Sequence, residues 1–599
     1  MERMRVADFV FDYLKKHGVD HVFMLSGGGI MYLVDALGRS KIEYVCCHHE
    51  QGAAIAAQAY GMYDDTLGVC LVTTGPGGTN ALTATGAAYM DSTPMLFISG
   101  QVKRSDFASL RNVRQFGAQE NDIISMAKPV TKYAVTVMRP EDVPYELEKC
   151  VYMATHGRKG PVWLDIPLDI QSAEIRPEEL RNYIPEQKDV SKRISNEIRT
   201  TCRLLADAKR PLILAGHGVN AARAQDSLRM LVEQTGIPLL STWRAMGLLG
   251  EDEKLYFGAP GLQAPRYSNL ILQHCDFLLV LGSRLDNMIT AFNEAHFAKM
   301  ANVVIVDIDE NELKKLHIQR LMTIHADVGS FVDELTVALK SIKLPDYTSW
   351  LSRCQIIKER FPLLKEKQIV SEGVDLYQVT FAISEYAKID DTLVVSSTSR
   401  CNTAGHIAFK RERGQKCISS MGFGSMGFAL PSAVGAYFAG DHRRTLVLEG
   451  DGSLQLNIQE LETIVSNDIN TKLFVFNNAG YAAITTMQDR NFDSFYVGSN
   501  EKSGVFMPDL KKISEAYDIP YCCIETNEDI QAGIRWAMEK VEGVCMVDIK
   551  GALSFDEIPK CISYVDAITG QRVSAALENP FPFLGDEEMK EIAAYLTGE

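Results

Sequence analysis

Long uninterrupted apolar runs are missing from the 599 residues, and none reaches the ~20 residues that a membrane-spanning helix needs. That argues against a membrane partner. The thirteen cysteines include the neighbours Cys46-Cys47 and Cys522-Cys523 but no Cys-x-x-Cys pair. A zinc ribbon and a disulfide framework are therefore not indicated, and most cysteines read as small buried apolar residues. Positive charge is also short: 61 Lys and Arg face 77 Asp and Glu, a net charge of −16, which argues against nucleic acid and anionic membranes as partners. No short-period repeat or low-complexity tract is present, which excludes solenoids. Met1-Glu2-Arg3-Met4-Arg5 runs into the helical pattern Val6, Phe9, Val10, Tyr13, Leu14 rather than a signal sequence, so a cytoplasmic location is expected.

What remains is the composition of an ordinary soluble protein, 46% hydrophobic and 23% charged. The length predicts more than one core. Strand-like apolar runs alternate with helical patterns in three successive stretches, which predicts three doubly wound α/β domains with parallel sheets. The expected limits are 1–172, 191–341 and 372–557, with a C-terminal tail, 558–599, that carries several prolines and is expected to lie over a neighbour. The charged stretches 173–191 and 341–372 read as linkers.

The densest signal lies between Gly450 and Gly480. Strand-like Thr445-Leu446-Val447-Leu448 leads into Gly450-Asp451-Gly452-Ser453, and Leu473-Phe474-Val475-Phe476 leads into Asn477-Asn478-Ala479-Gly480. Both turns then fall at the carboxyl edge of a parallel sheet, where such folds bind ligands. One carboxylate, one amide and bare backbone suit Mg²⁺, a hard ion that leaves places for a diphosphate. Glycines let the chain approach the anion, and a helix amino end faces it. The bland alternative is a capped turn with a solvated carboxylate.

Other turns repeat this arrangement. Ser26-Gly27-Gly28-Gly29 and Thr73-Thr74-Gly75-Pro76-Gly77-Gly78 each follow a strand-like run and leave backbone free for a ligand. His48-His49-Glu50-Gln51-Gly52 opens a helix of small residues, where Glu50 on its own reads as a carboxylate favoured by the helix dipole. Ser397, Thr398 and Ser399 follow a buried-type strand and suit either a diphosphate or an ordinary hydroxyl-rich turn. Gly422-Phe423-Gly424-Ser425-Met426-Gly427 is a literal Gly-x-Gly-x-x-Gly with Glu449 downstream, which keeps a rival open: an NAD-dependent oxidoreductase. His48, His49, His217 and His406 lack a spaced partner, and only His49, beside Glu50, merits testing as an acid or base.

The block from Gly450 to Gly480 resembles the cofactor motif of thiamine-diphosphate enzymes. His49-Glu50-Gln51-Gly52-Ala53-Ala54 resembles the activating-glutamate segment of their acetohydroxyacid (acetolactate) synthase-like branch. Gly75-Pro76-Gly77, Gln119-Glu120, Gly160-Pro161-Val162, Gly282-Ser283-Arg284-Leu285-Asp286 and Gly424-Ser425-Met426-Gly427-Phe428 match that branch in order over nearly the whole chain. The resemblance implies a pyrimidine-binding, a central and a diphosphate-binding domain, with a homodimer as the smallest active form and a homotetramer compatible. It implies that Glu50 favours the imino tautomer of thiamine diphosphate, whose nitrogen takes the thiazolium proton. Met426 would be the apolar wedge that bends the cofactor, although core is the usual place for a methionine. Gly75, Ser397, Thr398, Gly424, Gly450, Gly452, Ser453, Asn478 and Ile484 would line the cofactor, and Asp451, Asn478 and the Gly480 carbonyl would hold Mg²⁺. Gly27 and Gly28 would offer N–H groups to the reacting oxygen, and Gln119 would orient the intermediate. In the central unit Gly216, Gly218, Thr242, Asp286 and Asp307 resemble an FAD site, a flavin that related enzymes have also lost.

Three places depart from that branch. Its acceptor pocket uses a phenylalanine, an arginine and a tryptophan where this chain has Ala118, Met288 and Met487. Losing the arginine removes a bidentate partner for a ketoacid carboxylate, and losing two rings enlarges the pocket. The expectation is a small-molecule 2-ketoacid donor, pyruvate, whose acetyl unit passes to a carbonyl acceptor such as a ketone or ketosugar. Acetolactate synthase proper and a hydrolase of cyclic diketones are the alternatives, with a cofactor-free scaffold subunit as the non-enzymatic one.

Overall fold

A computed structural model describes residues 3–185, 194–366, 373–551, 557–565, 570 and 572–598. Residues 191, 372 and 552–556, which enter the expected domain limits, lie outside the described residues.

Runs such as Val69-Cys70-Leu71-Val72 and Leu473-Phe474-Val475-Phe476 are apolar at successive positions because their strands are covered on both faces, as in a wholly parallel sheet. Three such sheets form. The first orders its strands Glu43–Cys46, His21–Met24, Gly68–Val72, Met95–Gln101, Pro161–Pro167 and Tyr133–Thr136. The last runs Cys417–Ile418, Thr392–Val395, Thr445–Gly450, Thr471–Asn477, Cys545–Lys550 and Tyr521–Ile524. Numbered along the chain, both read 2-1-3-4-6-5. The central sheet, Leu239–Ser241, Pro211–Ala215, Phe277–Leu281, Asn302–Asp307 and Leu321–His325, reads 2-1-3-4-5. In each sheet the order reverses between its first and third strands, which opens a crevice at their carboxyl ends.

The outer domains share a core. Helix Glu50–Asp64 of the first lies against helix Ala429–Ala439 of the last, and Ala53, Ala56, Ala57, Ala429, Ala433 and Ala436 are fully buried between the sheets. Small residues permit this approach: a Cβ on Gly435 would stand 1.9 Å from the Ala56 carbonyl oxygen.

Two expectations change. Stretch 341–372 is not merely a linker, because helix Thr348–Arg360 buries Trp350, Cys354 and Ile357 in the central core and Trp350 Nε1 donates to the Pro211 carbonyl at 2.9 Å. The tail lies over its own central domain. Fully buried Arg266 donates to Glu366 at 2.7 Å and to the carbonyls of Pro580 and Pro582 at 3.1 and 2.6 Å. Helix Asp586–Thr597 buries Ile592 and Leu596 in the same core. In stretch 173–191, Glu174–Ile175 pairs antiparallel with Met4–Arg5. Among the described residues no helix is long and apolar enough to cross a membrane.

Candidate active site

In the last sheet, strands Thr392–Val395 and Thr445–Gly450 flank the reversal point, so Ser397 and Asp451 emerge side by side. Asp451 opens a short helix and is 2% exposed. Its Oδ1 accepts from the Gly452 N–H at 2.8 Å, and its Oδ2 accepts from Asn478 and Gly480 N–H at 3.2 Å each. Burial pushes its carboxyl up to about 6 against the pull of these donors. Asn478 Oδ1 and Ser397 Oγ are buried and find no partner. An orphaned amide oxygen beside a buried carboxylate is costly unless a donor or cation answers it. The set fits a divalent ion carrying an anion. Among the described residues no cluster of three or more His, Cys, Asp or Glu could hold a metal, so a cation here would draw its remaining oxygens from backbone and ligand.

The Gly422 to Gly427 segment closes over this crevice. Gly424 has φ +69° with the Ser397 carbonyl oxygen 3.8 Å from the place of its missing Cβ. Gly427 N–H donates to Ser453 Oγ at 2.8 Å, and Asn457 Nδ2 donates to the Gly427 carbonyl at 2.7 Å. Half-buried Met426 lies within the turn that these contacts fix. Ser453 serves as the fastener of this turn. Gly452 lies under Tyr481, whose ring would meet a Cβ at 2.5 Å, and Gly450 is the extended residue before the helix. Ile484 and Met487 stand exposed on helix Ala482–Asn491. Glu449 is fully buried, with burial raising its carboxyl and Ser453, Ser396 and the N–H groups of Gly450 and Ala429 bonding it. No ribose reaches it there, which removes the dinucleotide reading of the Gly-x-Gly-x-x-Gly segment.

The first sheet brings its candidates together in the same way. Gly29 N–H donates to Thr73 Oγ1 at 3.2 Å, and Gly27 packs on the Thr73 side chain, so the Ser26 to Gly29 turn abuts the Gly75 turn, while a Cβ on Gly28 would meet nothing. Gly75, at φ +71°, leaves room for the Gln119 carbonyl, and Gln119 itself adopts φ +63°. Glu120 ties the loop before it by accepting N–H bonds from Ala108, Phe116 and Gly117 at 2.6, 3.0 and 3.1 Å. Glu50 is the first residue of its helix and 7% exposed. Its Oε2 accepts from Asn80 Nδ2 at 2.9 Å, a partner not foreseen from the sequence. His49 caps the same helix, its Nδ1 accepting from Gln51 N–H at 3.1 Å.

A cavity of about 230 Å³ opens at the carboxyl edge of the central sheet. Gly218, Thr242, Asp286, Asp307 and Met288 line it; Gly216 does not, because it packs against Gly282, whose carbonyl oxygen would be 2.3 Å from a Cβ. Met288 thus faces the central cavity, whose wall includes neither Ala118 nor Met487, both exposed on loop and helix of other domains. The other domains supply part of the wall. Arg158 bridges to Asp309 and Glu312 at 2.8 and 2.7 Å. Burial alone would raise the Asp65 carboxyl, but His217, Arg244 and Lys159 bring it down to about 2. Arg244 donates to the Asp91 carbonyl at 2.6 Å, and the Asp91 carboxylate accepts from Ser420 Oγ and from Gly422 N–H at 2.9 Å. His406 is buried, stacked on Trp243 and pushed down to about 3 by burial and Arg411.

Comparisons with known proteins agree with this layout. The thiamine pyrophosphate enzyme N-terminal binding domain matches residues 4–126, the central domain 198–335 and the C-terminal binding domain 398–549. The chain belongs to the thiamine pyrophosphate enzyme family. Within it, the chain is an enzyme of the acetolactate synthase-like branch. It is 32% identical over 561 residues to acetolactate synthase 1, chloroplastic, of Zea mays, covering 91% of this chain and 85% of that one. The acetolactate synthase large subunit of Corynebacterium glutamicum is 31% identical over 558 residues, 91% and 87% of the two chains. That of Cyanidium caldarium is 30% identical over 538 residues, 88% and 89%.

Proposed function

We propose that this enzyme decarboxylates pyruvate and transfers the acetyl unit to a carbonyl acceptor, a ketone, ketosugar or 2-ketoacid. Thiamine diphosphate, once bound, supplies the electron sink for the carbon–carbon bond that breaks. Asp451, Asn478 Oδ1 and the Gly480 carbonyl hold Mg²⁺, with Ser397, Thr398 and the amino end of the following helix toward the diphosphate. The observation that carries the reading is the buried, partnerless Asn478 Oδ1 beside Asp451, in a chain of this family.

Glu50 accepts or donates a proton at a ring nitrogen of the pyrimidine through Oε1, since Asn80 occupies Oε2. Gly27, Gly28 and Gln119 face the reacting oxygen. Met426 would serve as the apolar support for the cofactor, and Ile484 would line its site. Ala118 and Met487, small or flexible where that branch has aromatic rings, leave the acceptor side wider, which favours an acceptor bulkier than pyruvate, while Met288 lines the central cavity instead.

The central cavity takes FAD. Its wall combines the Asp307 carboxyl at a strand end, glycine backbone at Gly218 and a buried His217 Nδ1 without a partner. The active form is at least a homodimer and compatible with a homotetramer. Supporting this, Phe492, Phe495, Val497 and Phe506, just beyond the Met487 helix, are 57–73% exposed, and apolar surface of that kind marks a protein contact.

Acetolactate synthase itself is the second reading, favoured by the relatives. Incubation with pyruvate alone, then with a panel of carbonyl acceptors, read by product mass, separates the two. Slow carbon dioxide release that accelerates with a bulky acceptor supports an acceptor other than pyruvate, and rapid acetolactate formation from pyruvate alone overturns that preference in favour of acetolactate synthase itself. A colourless purified protein would sink the flavin assignment.

A further inference from the structure

Helix Glu460–Ser466 belongs to the last domain, yet its first side chain reaches the first domain. Glu460 is fully buried, and its carboxylate sits under the turn that precedes Glu50. His48 N–H donates to both of its oxygens, at 3.2 and 3.3 Å, and His49 N–H donates to Oε1 at 3.1 Å. Thr463 Oγ1 donates to Oε2 at 2.6 Å. Gly52 marks how close the contact is, since a Cβ there would lie 2.2 Å from Glu460 Oε1.

The N–H groups at a helix start have no partner within the helix and are ordinarily capped by a nearby side chain. Here a local cap, His49 Nδ1, serves the Gln51 N–H, while the two N–H groups just before the helix are taken by a carboxylate from another domain. Charge-assisted bonds to backbone are the stronger kind. They fix where the backbone enters the helix, and Glu50 is its first residue. Asn80 then fixes the far end of the Glu50 side chain. The stretch that carries Glu460 also carries Asp451 and Asn478.

We propose that Glu460 is a positioning residue: through the His48 and His49 N–H groups it sets the place from which Glu50 reaches the cofactor pyrimidine. This rests on the thiamine diphosphate reading above. The test uses full-length E460A, E460Q and E460D with thiamine diphosphate and Mg²⁺. Cofactor affinity is read by tryptophan fluorescence, and exchange of the cofactor C2 proton by acid quench and NMR. In E460A the affinity stays within about threefold of wild type while exchange falls ~10²-fold, the scale of a 1 Å misplacement. E460Q, whose amide oxygen still accepts both N–H groups, recovers at least ~10-fold of that loss, because it restores the same alignment. If E460A does not fold, E460D decides: its carboxylate is one methylene short of the turn, and exchange falls about tenfold on the same ground. Wild-type exchange in E460A or E460D, or an equal loss in E460A and E460Q, overturns the proposal. Absence of cofactor binding or exchange in the wild-type protein instead sinks the thiamine diphosphate reading itself.

Discussion

The first and last sheets share the order 2-1-3-4-6-5, and each carries Asp-Ile in its sixth strand: Asp165-Ile166 beside Ser99 and Thr136, Asp548-Ile549 beside Val475 and Cys523. What surrounds the two aspartates differs. Asp165 meets only neutral donors, Ser99 Oγ at 2.6 Å, Thr136 Oγ1 at 2.9 Å and Gln101 Nε2 at 3.3 Å, and burial pushes its carboxyl up to about 7. Asp548 meets Lys550 Nζ at 2.6 Å, together with Tyr521 OH and Asn477 Nδ2 at 2.8 and 3.0 Å. The crevices differ likewise. One offers a carboxylate at a helix start and bare glycine backbone; the other offers a carboxylate, an amide and hydroxyls. One wiring thus supports two tasks, and the side chains at the strand ends decide between them.

Substitution at each crevice should separate those tasks. Glu50→Gln keeps fold and cofactor binding while C2 exchange drops by ~10²–10⁴, the range of lost acid–base catalysis; undiminished exchange would erase the distinction. Asp451→Ala loses Mg²⁺ and cofactor affinity instead, by at least ~10-fold, measured by titration. If the crevices of two chains face each other, mixing and refolding these two inactive variants restores part of the activity, since one site of the mixed dimer has both residues intact. No recovery would place both tasks within one chain.

The seam between the two sheets is tested by Gly435→Val, which must force a side chain against the Ala56 carbonyl. Overpacking of this kind costs about 3 kcal/mol, read by denaturant midpoint. An unchanged midpoint would mean the helices separate freely.

A further effect, confined to a pH window, concerns Asp165. Its folded value, about 7, lies above the ordinary 3.8, so its contribution to stability is present below the unfolded value and is lost as pH rises through 7. Asp165→Asn should flatten the fall of unfolding midpoint between pH 4 and pH 7. A curve parallel to wild type would show that Asp165 is not the group responsible.

The sheets were legible because strands covered on both faces leave continuous apolar runs, and parallel order follows from the intervening helical patterns. The meeting of the Asp451 and Asn478 turns was legible because strand, turn and helix of one motif are contiguous in sequence. Asn80 and Glu460 were not, since nothing local says that residue 460 will lie under residues 48 and 49; Gly52 was the trace, a helix glycine with no turn to justify it. Helix Thr348–Arg360 was hidden for another reason. Its buried positions, Trp350, Cys354 and Ile357, are diluted by charge, so the stretch read as a separator. Gly216 shows the converse: a glycine after a strand suggested a ligand, and the structure gives it to the Gly282 turn.

Arg266 draws its buried hydrogen bonds from Pro580 and Pro582, and Ile592 and Leu596 fill the core beneath it. The central domain is therefore unfinished until residues 580–596 have left the ribosome. A nascent protein halted before them would lack those two carbonyl acceptors and the two apolar side chains of the core, leaving Arg266 to Glu366 and water. The order of synthesis and the order of completion differ: the domain made second closes last.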